Sequence, residues 1–130
     1  FPMSHSDTVA FTDWGIDDHQ PHGYFTKGID AIHVYGGRRV GIPLRCLYSR
    51  NIANLFMAGR CISVTHVALG TVRVMRTGGC MGEIVGMAAS LCRAHDTDPR
   101  GVYEKHLDQL KELMAQGVGQ PRTELRPGCR

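Results

Sequence analysis

The stretch "NLFMAGRCISVTHVALGTVRVMRTGGCMGE", residues 54–83, decides the fold. It opens on a short apolar run, Leu55 to Gly59, with no polar alternation. Such a run predicts a strand covered on both faces, as in a parallel sheet. A polar connection holding Ser63, Thr65, His66 and Thr71 follows. A helix is then expected from near Leu69–Thr71 to about Ala94. The pieces "VTHVAL" and "TVRVM" are β-branched, so a strand competes with a helix there.

Within that helix, Gly78, Gly82, Gly86 and Ser90 are spaced by four and form one ridge of small residues. Each interior glycine costs up to about 1 kcal/mol of helix stability relative to alanine. A ridge of them lets a backbone, a sheet or a flat ligand lie close. Tight helix–sheet packing and ligand contact are both open. Membrane-helix dimers use the same spacing, but Arg73, Arg76 and Glu83 argue against a membrane span. In α/β proteins ligands sit beyond the carboxyl ends of strands, often at a helix amino end. That end carries roughly half a positive elementary charge and free N–H groups.

Working outward, "DTVAF" (7–11) and "IDAIHVY" (29–35) read as strands. "TDWGIDDHQPHG" (12–23) is rich in turn formers. Pro43 restricts "GIPLRCLYS" (41–49) to an edge strand or extended segment. Toward the C-terminus, Asp98 is a good N-cap and Pro99 suits a first helical position. Tyr103, Leu107, Leu110 and Met114 then mark one face of an amphipathic helix that Gly117 and Gly119 stop. Residues 120–130 read as a flexible, loosely ordered tail.

The chain has 130 residues, enough for one modest core. At 42% hydrophobic and 21% charged it has ordinary globular composition. A net charge of +3, with 7% scattered aromatics, gives no footprint for nucleic acid. The five cysteines are odd in number and lack C-x-x-C spacing, which argues against a disulfide framework or a zinc ribbon. Phe1 stands where Met would open a chain, so a preceding segment is expected and no compartment is read from this sequence.

"DDHQPH" (17–22) gathers Asp17, Asp18, His19 and His22. Carboxylate plus imidazole suits a metal, but neighbouring side chains point apart, and no metal site is assigned. A solvated polar turn is the plain alternative. His66 is either a proton donor or a hydrogen-bonded histidine that fixes its loop. Arg45, Arg73 and Arg76 are candidates for binding an anion, or simply solvent-facing. The cysteines are expected to be buried thiols rather than redox partners, and Trp14 to be packing.

Several of these segments, in order, resemble a known family. "NLFMAGR.ISVTHVALGTVRVMRTGG.MGE.VGMAAS", "GIPLRCLYSRNIANLFMAGR" (41–60) and the W-x-x-D-D-H within "VAFTDWGIDDHQPHG" (9–23) are similar to the C-terminal segment of bacterial FAD-dependent oxidoreductases. The likeness runs from residue 8 to about 94 and extends toward 116. It implies an α/β fold: part of an FAD/NAD(P)-binding, Rossmann-like domain with short strands, a long glycine-rich helix and a C-terminal amphipathic helix. Residues 1–50 would supply strands and loops facing flavin and substrate. Residues 51–95 would form the strand–helix of the FAD-binding domain, and 96–119 the C-terminal helix.

The resemblance implies that the amino end of the glycine-rich helix faces the isoalloxazine ring, with Ala58, Gly59 and Arg60 near the ribityl–pyrophosphate part. Ile42, Pro43, Ser63, His66, Ala68, Gly70, Thr71, Arg73, Val74 and Met75 complete the cofactor-binding set. His19 and His66 become proton-handling candidates, with Asp17, Asp18 and Arg45 facing substrate. Many flavoproteins place an acidic residue after the A-G pair; here that position is Arg60. The family's G-x-G-x-x-G unit does not occur in the sequence. The implied partners are therefore the N-terminal dinucleotide-binding portion of the same enzyme and a small-molecule substrate, with FAD held weakly or not at all by this chain alone. Nucleic acid and membrane are not expected partners, while exposed strand edges and ridge predict a homo-oligomer. A non-catalytic α/β interaction module that has lost the cofactor is the competing function.

Overall fold

The computed structural model describes residues 4–20, 22–25, 27–28, 31–34 and 39–117. Four short strands precede four helices: β1 (Thr8–Thr12), β2 (Ile16–His19), β3 (Ala31–Val34) and β4 (Val40–Pro43), then α1 (His66–Val72), α2 (Met75–Ala94), α3 (Pro99–Lys105) and α4 (Leu107–Gln116). The strands make two antiparallel pairs, β1 with β4 and β2 with β3. Mixed helices and short strands are compatible with a partial FAD-binding domain.

The core is built on α2. Its buried side chains are Thr77, Met81, Ile84, Ala88 and Leu91, alternating steps of four and three that keep one stripe inward. β1 and β4 supply Val9, Ala10 and Ile42, and α3 and α4 supply Val102 and Leu110. Met81, Ala88, Val102 and Leu110 are all fully buried. Truncating a core residue such as Met81 to alanine costs about 2–5 kcal/mol.

Several expectations need correction. Residues 55–59 do not form a strand of a parallel sheet, and among the described residues no strands pair in parallel. The run instead folds back on the segment before it: Tyr48 bridges Phe56 antiparallel, Met57 N–H donates to Leu47 O, and Ser49 N–H to Leu55 O. The turn between them is held by Ser49 Oγ, which accepts from the N–H groups of Asn51 and Ile52. Local closure thus takes the hydrogen bonds that a parallel neighbour would have needed.

The glycine-rich helix is not continuous from residue 69. α1 begins earlier, where Thr65 caps it through the Ala68 N–H. It stops at Arg73, and Val74 is extended before α2 starts. Arg73 turns its guanidinium to Asp17, while Val72 enters the core.

The C-terminal helix also divides, at His106. Val102 of α3 and Leu110 of α4 both reach the core. Asp98 caps α3 through Gly101 N–H at 2.7 Å, as the sequence indicates. Gly117 ends α4 with φ +77°, a left-handed conformation that suits glycine. Gly119 and the 120–130 tail lie outside the described residues.

Finally, "IDDH" is a strand despite its turn-forming neighbours. It pairs with β3 in the register Asp17↔His33 and His19↔Ala31.

Candidate functional site

The β2–β3 hairpin packs against α1. The contact is close because of Gly70: a Cβ there would lie 2.8 Å from the Asp17 carbonyl oxygen. Thr71 ties the same seam, its hydroxyl donating to Trp14 O and its carbonyl accepting from Thr12 Oγ1. Gly70 and Thr71, expected at a cofactor, are thus engaged with β1, β2 and their connection.

The seam gathers a polar cluster around Asp17. Its Oδ1 lies 3.2 Å from His19 Nε2 and 2.9 Å from His33 Nδ1. Its Oδ2 takes the Arg73 guanidinium. The neighbouring Asp18 lies 2.8 Å from His66 Nε2. One ring nitrogen of each histidine therefore lies beside a carboxylate oxygen. An exposed imidazole next to a carboxylate, as His19 and His66 are, is a group able to take or deliver a proton. His19 and His66 are largely exposed, whereas the Asp17 side chain is only 23% exposed. The carboxylates are thus anchored while the imidazole edges reach solvent.

His33 was not singled out from the sequence. It enters because the hairpin register sets it opposite Asp17, sixteen positions away along the chain. A histidine at the centre of the expected strand was the available signal. Among the described residues no group of three or more His, Cys, Asp or Glu is placed to hold a metal ion. Nor is any helix there long and apolar enough to cross a membrane.

Arg73 links the cluster to α2. It precedes Val74, the N-cap residue, which makes no side-chain cap. Met75 opens the helix with its side chain 94% exposed. The first turn of α2 therefore has no side-chain cap, and its opening side chain faces solvent. Beyond them, added Cβ atoms at Gly79, Gly82 and Gly86 would meet nothing within 4 Å, and one at Gly78 would meet only Gly59 Cα at 3.6 Å. The small-residue ridge is therefore open along most of its length, turned roughly 100–220° from the buried stripe. The small residues on this face leave open space, so the residues present are compatible with a flavin.

The chain belongs to the FAD-dependent oxidoreductase family. The family's sequence profile, FAD dependent oxidoreductase, matches residues 2–114. No curated protein and no solved structure matches the chain.

The other residues expected at the cofactor or substrate are dispersed. Ile42 is buried in the core and Pro43 is half-buried beside it. Ala58 and Gly59 are half-buried, Arg60 and Ser63 exposed, and Ala68 half-buried. Arg45, expected with Asp17 and Asp18, pairs instead with Asp7, its Nη2 3.0 Å from Asp7 Oδ1. Asp7 is wholly buried. It also accepts the Arg45 N–H through Oδ2 at 3.3 Å, and its carbonyl accepts the Leu44 N–H. Sequence reading missed Asp7 because one acid before a strand has no distinguishing pattern; its only signal was an arginine needing a partner. Of the thiols, Cys61 and Cys80 are exposed, contrary to expectation, while Cys46 and Cys92 are partly covered. Burial pushes the Cys46 thiol up, with Arg45 opposing and Asp7 adding. Burial does the same at Cys92, helped by Asp98.

Proposed function

We propose that this chain contributes the flavin-facing helix terminus, and part of the substrate site, of an FAD-dependent oxidoreductase that accepts hydride from an organic substrate. One observation carries this reading: Arg73 joins the Asp17–His19–His33 cluster to the amino end of α2, which has no side-chain cap. Family membership supports it independently. FAD, when bound, supplies the hydride acceptor. Backbone N–H groups at residues 75–77 would then face the ring, where a helix amino end favours negative charge. Val74 and Met75 would flank it, and Ala58, Gly59 and Arg60 would lie toward the ribityl–pyrophosphate part.

His19, held by Asp17, and His66, held by Asp18, are the groups proposed to hold or move the substrate's proton. Arg73 acts as a positioning residue, fixing the Asp17 carboxylate between the two elements. The partner is the dinucleotide-binding portion of the same enzyme, and the small molecule binds between them. The open ridge is also expected to promote self-association of the chain alone, which sedimentation at high concentration checks.

The test is the visible spectrum of this chain joined to its dinucleotide-binding portion. A flavin spectrum that bleaches anaerobically with substrate is expected. His19→Gln or His66→Gln should slow that bleaching about 10²–10⁴-fold if the replaced group is the acid–base catalyst. A joined protein that holds no flavin would instead favour the non-catalytic interaction module. A tight, stoichiometric flavin spectrum from the 130-residue chain alone would overturn the expectation of weak binding.

A further inference from the structure

A second region of the molecule is built for charge. A groove of about 610 Å³ is lined by Arg45, Arg50 and Arg100, together with Tyr48, Asn51 and Ser63, and none of its lining residues is acidic. The arginines come from separate places: the turn Leu44–Cys46, the loop after it, and α3. This is not one solvated run of charge, because the fold brings distant segments together.

Two of the three cations are held in place. Arg45 is fixed by the buried Asp7, which meets both its guanidinium and its backbone N–H. Arg100 lies over the Tyr48 ring, 5.8 Å from its centroid, within cation–π range. Tyr48 is itself 8% exposed, and burial pushes its phenol upward, with Arg100 opposing. The phenol thus stays neutral and can donate a hydrogen bond. Among the described residues, Arg50 and Arg100 have no carboxylate in ion-pair contact. Asp7 pairs with one arginine, which leaves two guanidiniums without an ion-pair partner.

The adjoining groove behaves differently. It has a similar volume and shares Arg100, but Asp96, Asp98, Glu104 and Lys105 line it as well. Its charges are mixed, so it has no comparable preference for an anion.

We propose that the Arg45–Arg50–Arg100 groove binds a small dianion carrying two carboxylate or phosphate groups. Guanidinium forks suit both, since each presents paired oxygens to paired N–H donors. Two guanidiniums without an ion-pair partner match two negative charges. Ser63 and Asn51 supply further polar contacts. Ser63 stands three positions before His66, so the groove and that imidazole are at most about 11 Å apart between Cα atoms. Anion binding here does not depend on a flavin at α2 and is tested without one.

The experiment titrates the 130-residue chain with succinate and, separately, with inorganic pyrophosphate, followed by calorimetry and backbone amide NMR. Binding with a Kd of about 1 mM or tighter is expected for at least one probe. Whichever binds more tightly distinguishes carboxylate from phosphate as the natural chemistry. The shifted amides should include Arg50, Ser63 and Arg100. Raising ionic strength from about 0.01 to 0.1 M should weaken the complex, because the Debye length falls from about 30 to 10 Å. Arg100→Gln should weaken it about tenfold, and Arg50→Gln similarly, equivalent to about 1.4 kcal/mol each. Both positions are exposed, so folding should persist, as a thermal melt verifies. Arg93→Gln, on the exposed side of α2, should leave binding unchanged. Failure of both probes to bind at low salt overturns the proposal. So does binding that Arg100→Gln and Arg50→Gln leave intact, or a groove filled only by an acidic protein segment.

Discussion

Asp7 and Asp17 are both carboxylates paired with an arginine, yet they do opposite things. Asp7 is sealed in the core and has one cationic partner, Arg45. Asp17 is reached by solvent and is shared among His19, His33 and Arg73. The first fixes a cation at a groove; the second holds ionisable rings at an edge. Charge placed in the interior serves geometry, while charge at the boundary keeps proton exchange with the outside.

The largest effect should come from removing the sealed carboxylate. Asp7→Ala takes away the buried acceptor of the Arg45 N–H and the partner of its half-exposed guanidinium, and a loss of about 1.5–3 kcal/mol is expected, measured by urea unfolding. A variant with unchanged stability would mean that Asp7 is not the anchor described. Next, Gly70→Ala should cost about 1–3 kcal/mol, as overpacking does, because the added carbon meets Asp17 backbone 2.8 Å away. A crystal structure of that variant should show β2 displaced from α1.

Asp17→Asn should be milder, about 1 kcal/mol, because its histidine partners are well exposed. Its signature is instead a change in the imidazole NMR chemical shifts of His19 and His33 at fixed pH, since both rings lie beside Asp17. Unchanged shifts at both rings would break the contrast with Asp7.

The smallest effect is at alkaline pH. Cys46, Cys92 and Tyr48 have pKa values raised above 9.0, 9.0 and 10.0 in the folded chain. The fold therefore retains protons that the unfolded chain releases. Their contribution is fully present below pH 9 and is lost as pH rises through the folded values. The melting temperature should decline above pH 9, less steeply in Cys46→Ser. Under alkylation near neutral pH, Cys61 and Cys80 should react before Cys46 and Cys92.

Local chemistry was the legible part of this chain. The Asp98 cap, the Gly117 stop and the strands near residues 8–12 and 31–34 follow from patterns a few residues long. The breaks at Arg73 and His106 do not, because each depends on where distant core positions must point. Residues 55–59 read as a covered strand since apolarity alone does not reveal which neighbour takes the hydrogen bonds. Within the site, Asp17, Asp18, His19, His66 and Arg73 were visible as chemical types, but their pairings required the hairpin register and the α1 seam. His33 and Asp7 carried no local pattern and emerged only from tertiary contact.

The bare face of α2 implies a thermal signature. Gly82 and Gly86 sit mid-helix with open space where a methyl group would go. Alanine at each should raise the isolated chain's heat resistance by about 0.8–1 kcal/mol. A library selected only for survival at high temperature should therefore drift toward alanine at these two sites first.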